Sequence, residues 1–536
     1  MQSHSSQPEV ELTRDASSPR DVLRTGPAWT RFTVLACLGP LAVSLVFRFL
    51  WLDRLPGING DEAWYGVQIE KFLAGQPWSG RTPSKLPINP LLFVSESLLL
   101  CMAEPSFWVL RLPVAMWCLI GLVLTFVLHR RVFHEAGDAL LVVTFTASLP
   151  MHIAYSRFCW DASFSFATVP LVVYGLLGKE QFSWRVRFVA LLVPGCVLTV
   201  WNHATHAVFV AACLLVLAWE LRDRAWVIAK RWPRRPISAV AALIAAVVIA
   251  GVLVDRSHEA RLIWRSVRGS AERIGPHATA LGDILVGPRA YEYLAGVPRA
   301  GWTVVVYPAA LIVLAAAIWF LARSELAADR RLAALTVITA VLVLLVGRRV
   351  EFNERSYERY CVYIVPLAAV AIVRSVRVAC NRRTRAGVPI AACVTAAVSL
   401  FLLVQFWGNY FAPLRDQRHA DRLHRTFWTG EREPKAELAD AIRERAGAAS
   451  TLYVEDWWIR WPVGYLLGGS VEVHDRFKVE EIDEPCFIAS FAGGELTKRV
   501  LDDERLRDRV TERIEFGNVS GKPQLVLLVL GRFRTE

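Results

Sequence analysis

No CxxC pair occurs among the ten cysteines of this 536-residue chain, and most of them, such as Cys37, Cys118, Cys196, Cys213 and Cys393, sit inside apolar runs. That lack removes zinc-ribbon and dithiol-redox readings and leaves small apolar packing residues. Nor is a cleavable leader expected from the pattern. The first apolar run starts near Phe32 and is long enough to stay as a membrane anchor. Residues 1–30 ahead of it are polar and read as a disordered cytoplasmic tail. Charge is scarce: 21% of residues are charged against 54% hydrophobic, with mean hydropathy +0.35. Soluble domains of this size are not so apolar. The net charge of +12 would suggest nucleic acid in a soluble protein. Here the arginines fall between apolar runs, as in cytoplasmic loops, so the expected partners are membrane lipids and no nucleic acid.

Twelve apolar runs are present: 33–52, 88–103, 107–128, 138–154, 162–177, 186–202, 205–220, 237–254, 302–322, 331–347, 357–373 and 388–407. As a helix, 88–103 would rise about 24 Å, short of the roughly 30 Å hydrocarbon core, and it carries Glu96. If it does not cross, the inside loops are 129–138, 178–186, 220–236, 322–331 and 374–385. The last holds five arginines and no acid, and 220–236 holds six Lys or Arg against two acids. If it crosses, these loops face outward, against the positive-inside rule. The expectation is a mainly α, polytopic bundle of eleven spans, N-terminus in and C-terminus out, with 88–103 along the outer interface. Residues 31–408 form the membrane domain.

The polar residues of interest then collect on the outer face. GINGDEAWYG places Asp61 and Glu62 at the start of an amphipathic stretch. They are either an N-cap with a helix-dipole partner or part of a site. Asp161 in YSRFCWD, at the mouth of 162–177, is read in the same two ways. Arg157 lies four residues earlier. Lys85, Arg111, Arg348, Arg349, Arg355 and Arg359 crowd the same side, either snorkelling to the interface or meeting an anion. Paired acids with cations suit deprotonation of a hydroxyl and departure of a phosphate. His203 and His206 in WNHATHA have a spacing that could share a metal. No cysteine or second pair supports one, so no metal or other cofactor is expected. The loop 255–301, with Gly275-Pro276, Gly287-Pro288, Trp264, Tyr291 and Tyr293, reads as a partly ordered lid over the cavity.

Four segments in order, GDEAWYGV, SKLPINPLLF, LRLPVAM followed by HRRVF, and YSRFCWD, together with ERYCVYIVP further on, make residues 30–375 resemble the GT-C superfamily of polyprenyl-phosphate-sugar-dependent glycosyltransferases. The chain is most similar to the branch holding protein O-mannosyltransferases and the lipid A aminoarabinose transferase. In SKLPINPLLF one proline is displaced from the family's pattern. The resemblance implies sugar transfer at the outer leaflet of a bacterial plasma membrane from a flipped polyprenyl-phosphate donor. It implies Asp61 as base on the acceptor hydroxyl, with Glu62 and Asp161 orienting the acceptor. Lys85, Arg157, Arg359 and Tyr360 are implied on the donor phosphate. No role carries to His203 or His206. The acceptor could be a protein Ser/Thr, lipid A or another glycolipid. A phosphate that leaves onto cations needs no separate acid, so one displacement with inversion is expected.

Residues 409–536 have ordinary soluble composition and alternate helix and strand signals, as in a small extracytoplasmic α/β domain without a phosphate-binding glycine loop. Within it, WWIRWPVGYLL either docks the domain or grips sugars through Trp457, Trp458 and Trp461. Two other functions fit a polytopic chain: a transporter, which would carry midplane charges and an internal repeat, and a glycan ligase or polymerase of another membrane fold.

Overall fold

A computed structural model describes residues 27–83, 87–230, 275–299, 303–347, 357–381, 387–419, 433–445, 450–475, 484–517 and 521–532, with 447 and 482. Residues 1–26 of the expected tail, Lys85, Arg348, Arg349, Arg355, Trp264 and the apolar run 237–254 lie outside these residues, while residues 27–30 of that tail begin a helix.

The bundle opens with α1 (Pro27–Phe49), α2 (Gly60–Leu73), α3 (Pro90–Leu100) and α4 (Phe107–Phe133). There follow α5 (Ala136–Ser148), α6 (Pro150–Ser156), α7 (Ser165–Leu177), α8 (Val193–Asn202) and α9 (Ala207–Lys230). The second half holds α10 (Gly275–Val286), α11 (Pro288–Ala295), α12 (Thr303–Ala322), α13 (Ala327–Gly347), α14 (Ile364–Asn381) and α15 (Gly387–Phe406). Helix α1 packs on α5 and α15, α4 on α5 and α7, and α12 on α13 and α14.

Four helical stretches among the described residues are long and apolar enough to cross a bilayer: Arg31–Phe49, Phe107–Phe133, Val305–Ala322 and Pro389–Arg415. The pair α5 and α6, bent by 65°, makes a fifth if it counts as one broken span. This is fewer than the eleven expected from the apolar runs. Prolines explain part of the difference: Pro150 cannot donate a backbone hydrogen bond, so the run 138–154 breaks at Leu149. The runs 162–177, 186–202 and 205–220 give apolar helical stretches of seventeen residues each, Asp161–Leu177, Val186–Asn202 and Ala204–Glu220, the last continued by the polar end of α9. Helix α3 has eleven residues and rises about 16 Å, too short to cross.

Ion pairs gather one end of the bundle. Arg374 bridges Asp138 on α5 and Asp329 on α13, the latter at 3.0 Å, and Arg377 pairs with Asp138 and Glu135. Arg331 pairs with Glu180 and Glu220, and Glu220 also binds Arg187 at 2.6 Å and Lys179 at 3.0 Å. These residues come from all five loops or loop borders read as basic. Helices α4, α7 and α14 carry that end at their C-termini.

The C-terminal part forms a five-stranded sheet in the order β2-β1-β3-β5-β4. Its strands are β1 (Thr451–Val454), β2 (Glu472–His474), β3 (Cys486–Phe491), β4 (Val510–Gly517) and β5 (Pro523–Leu530). Strands β2, β1 and β3 run parallel, and β5 joins β3 and β4 antiparallel. Period-two alternation divides the central strands cleanly. Phe487, Ala489, Leu525 and Leu527 join the core shared with the bundle, while Cys486, Ile488, Val526 and Leu528 form a separate core on the opposite face. The helices α16 (Pro434–Glu444) and α17 (Trp457–Leu467) contribute to the shared core, and α18 (Glu495–Asp502) to the separate one.

Helix α17 is WWIRWPVGYLL, and it docks on α2. Gly60 and Gly66 admit it: a Cβ on Gly60 would stand 2.6 Å from the Trp457 indole nitrogen, and one on Gly66 would collide with the Tyr465 ring. Lys435 on α16 donates to the Ile58 carbonyl at 2.6 Å, and the Tyr465 hydroxyl donates to the Ser106 carbonyl at 3.2 Å.

Beside this seam, burial pushes Glu433 up to about 8, with Lys435 pulling the other way, and burial brings Lys435 down to about 8. A carboxyl whose folded pKa lies above its unfolded value binds more protons folded than unfolded. Its contribution to stability therefore falls as pH rises from about 4.5 to 8. Lys435 acts in the opposite sense above pH 8. The thermal midpoint is expected to drop by about 2–4 °C between pH 5 and pH 8 and to flatten over that interval in Glu433→Gln, as read by pH-dependent melting in detergent.

Candidate active site

At the end of the bundle away from the ion-pair cluster, α2, the α6–α7 junction, the α8–α9 turn, the turn Tyr357–Cys361 and α17 enclose a cavity of about 130 Å³. Asp61 and Asp161 both line it, with Tyr65, Arg359, Tyr360 and His203.

The position of Asp61 follows from how α2 begins. Asn59, and not Asp61, is the N-cap. Its Oδ1 accepts from the Asp61 and Glu62 amides at 2.9 and 3.1 Å, and Glu62 Oε1 accepts from the Asn59 amide at 3.2 Å, closing a capping box. Glu62 is fully buried and held by Arg111, whose Nε donates to Oε2 at 3.1 Å and Nη2 to Oε1 at 2.6 Å. The remaining Arg111 donors reach the Leu52, Pro56 and Gly57 carbonyls. Successive side chains on a helix diverge by about 100°, so fixing Glu62 toward Arg111 turns Asp61 outward. The Asp61 side chain is 32% exposed and stands 3.3 Å from Arg359 Nη1.

Arg359 itself is held by aromatic groups. Nη1 donates to the Tyr293 hydroxyl at 3.1 Å and Nη2 to the Tyr360 hydroxyl at 2.8 Å. Its guanidinium carbon lies 4.8 Å from the Trp160 ring centroid and 4.9 Å from that of Tyr360. Asp161 is buried at the first residue of the 3-10 turn Asp161–Phe164. Its Oδ1 accepts from the Ala162 amide at 2.7 Å, and its backbone carbonyl accepts from Asn89 at 3.3 Å. The Tyr65 hydroxyl donates to the Asp161 carboxylate. Burial first, then the charges of Asp161 and Asp61, pushes this phenol well above its ordinary range, so it stays protonated.

Other expected site residues lie elsewhere. Glu62 does not line the cavity. Arg157 is completely buried and donates to the Phe47 and Leu55 carbonyls, the latter at 3.0 Å, with Phe411 4.8 Å from its guanidinium carbon. It ties the end of α1 to the turn before α2 and does not reach the cavity. Lys85 is outside the described residues, though Thr82 and Pro83 just before it line the cavity. His203 lines the cavity, with Nδ1 2.8 Å from Thr205 Oγ1, while buried His206 sets its Nδ1 against the Thr199 carbonyl. Burial, then Arg359, pushes His203 down to about 3, so the ring is neutral. Among the described residues no group of three or more His, Cys, Asp or Glu side chains is placed to hold a metal.

Three contributors had not been assigned to the site from sequence. Tyr65 lies one helical turn after Asp61, a spacing that places both on one face. Trp160 immediately precedes Asp161. Tyr293, part of the segment read as a lid, reaches Arg359 from α11. Trp457, one of two roles weighed for the tryptophans of α17, both docks the domain and lines the cavity.

Among solved structures, the crystal structure of ArnT from Cupriavidus metallidurans in the apo state matches with a TM-score of 0.54 at 15% identity, covering 94% of this chain and 98% of that chain. The same protein bound to undecaprenyl phosphate gives 0.51 at 14% identity, with the same coverage. The fold is GT-C. At these identities the likeness speaks for architecture alone. No family model matches the chain, and no curated protein matches it in sequence. The GT-C likeness extends over nearly the whole of both chains, so it takes in the C-terminal sheet as well as the bundle.

The two neighbouring acids should separate in a stability measurement. Glu62→Gln breaks a fully buried pair, at a cost of about 3–5 kcal/mol. Asp61→Asn breaks a partly exposed one, at about 0–1 kcal/mol. Thermal unfolding in detergent should show a large loss for the first and little for the second.

Proposed function

We propose that this chain is an inverting glycosyltransferase that moves a sugar from a polyprenyl-phosphate donor to an acceptor hydroxyl at the outer face of a bacterial plasma membrane. The observation that carries this reading is the Asp61–Arg359 pair, a carboxylate and a guanidinium 3.3 Å apart in a cavity that also holds Asp161. The eleven-span topology, with the C-terminal sheet outside, belongs to the same reading. The gathering of the basic loops at the opposite end supports it.

In the reaction, Asp61 takes the proton of the acceptor hydroxyl as its oxygen attacks the anomeric carbon. The bond from that carbon to the phosphate oxygen breaks, and its electron pair leaves with the polyprenyl phosphate. Arg359, the Tyr360 hydroxyl and Lys85 meet the growing charge. Asp161, held by Tyr65, accepts from another hydroxyl of the acceptor or of the sugar. Glu62 and Arg157 position the site from behind. An apolar cavity of about 620 Å³, lined by Val306, Val313, Val373, Val394, Phe401 and Leu402, suits an isoprenoid tail. Walls of Trp64, Trp160 and Trp457 suit a sugar ring.

Mass spectrometry of outer-face glycans, glycolipids and glycoproteins tests this. Cells without the gene and cells carrying Asp61→Asn should lack the same sugar-bearing species, with at least a hundredfold loss, about the scale of a removed catalytic base. Retention of the species in Asp61→Asn contradicts the reading.

A further inference from the structure

The proposed base and the proposed phosphate partner are bound to each other. Asp61 Oδ2 sits 3.3 Å from Arg359 Nη1, and an oxygen turned to a guanidinium is not turned to a hydroxyl. The guanidinium does not depend on Asp61 for its place. Tyr293 and Tyr360 hold it by hydroxyls at 3.1 and 2.8 Å, and Trp160 and Tyr360 lie against it. These partners are neutral: they fix where the positive charge sits without cancelling it. Among the described residues Asp61 is the one carboxylate paired with Arg359. Both side chains keep a face on the cavity, 32% exposed for Asp61 and 16% for Arg359. A second anion entering that cavity therefore meets a preplaced cation whose present partner is one swinging side chain. A phosphate, with several acceptor oxygens and fork geometry, is the stronger partner for arginine.

We propose that Arg359 is shared in turn by two anions, the Asp61 carboxylate when no donor is bound and the donor phosphate when it is. Seating of the donor thus releases the base. This rests on the reading of Asp61 as base and Arg359 as phosphate partner, and it adds an order: donor first, acceptor deprotonation second. The exchange makes and breaks no covalent bond. A phosphate oxygen replaces Asp61 Oδ2 on Nη1, and the freed carboxylate turns to the acceptor hydroxyl. When the transfer ends, the departing polyprenyl phosphate carries more negative charge than the donor did. Asp61 recaptures the arginine only after it leaves.

The test is binding of undecaprenyl phosphate to the full chain in phosphatidylcholine nanodiscs at fixed ionic strength. Wild type is compared with Asp61→Asn, Arg359→Gln and the double variant. Sharing predicts that Asp61→Asn binds about three- to tenfold more tightly than wild type, because the arginine no longer has a competing partner. It also predicts that the gain vanishes in the Arg359→Gln background. Unchanged or weaker binding by Asp61→Asn overturns the proposal. So does an equal gain in the Arg359→Gln background, which marks plain charge repulsion between Asp61 and phosphate. If Arg359→Gln does not fold, Arg359→Met, which keeps the length of the side chain and loses its charge, completes the same cycle. Absence of binding by every protein including wild type overturns the lipid-phosphate reading of the site, and the inference with it.

Discussion

The buried pair between Glu62 and Arg111 governs the geometry around it. Two full charges out of water are tolerated only when every polar atom finds a partner, and Arg111 meets that condition by reaching both Glu62 oxygens and three backbone carbonyls. Those carbonyls belong to the turn between α1 and α2, so one side chain secures the turn, the first residues of α2 and the top of α4. The capping box on Asn59 then sets the helical phase. Asp61 and Glu62, adjacent and chemically alike, acquire opposite fates because one helical step separates a core-facing direction from a cavity-facing one.

Charge is sorted along the bundle axis with the same economy. At one end, Arg187, Arg331, Arg374 and Arg377 from three loop regions are paired with Asp138, Asp329, Glu135, Glu180 and Glu220, which closes that end with opposed charges. At the other end Arg359 is surrounded by neutral rings and, among the described residues, meets a single carboxylate, a less saturated arrangement suited to receiving an anion. The C-terminal domain completes this second end. Its α17 presses on α2 through two glycines, and Trp457 both fastens the domain and forms part of the cavity wall. The segment that sets Asp61 is therefore clamped from below by Arg111 and from above by α17.

Much of this was readable from the amino acids, for identifiable reasons. The strand signals of the C-terminal part are legible because its central strands are short, almost continuously apolar runs, CFIASF and PQLVLLVL, as a strand covered on both faces requires. Residues at loop mouths, Asp61, Asp161, Arg359 and His203, were grouped by topology and Tyr360 by the family resemblance, and all five line one cavity. What sequence does not encode locally is direction. Arg157, four residues before Asp161, points into the protein because α6 ends at Ser156 and residues 158–160 are not helical, which takes the chain out of helical register before the 3-10 turn at Asp161. Glu62 looked like a partner of Asp61 until its ion pair with a residue 49 positions away was seen. Among the described residues there are fewer long apolar helices than apolar runs for a related reason. Hydropathy counts apolar residues, whereas a proline such as Pro150 decides whether they form one helix or two.

A cryo-EM structure of the full chain in lipid with undecaprenyl phosphate bears most directly on this picture. The account predicts phosphate density against Arg359 and Tyr360, facing Asp61 across the cavity, with Glu62 still paired to Arg111. Phosphate bound at Arg157, or Glu62 swung out to line the cavity, would contradict it.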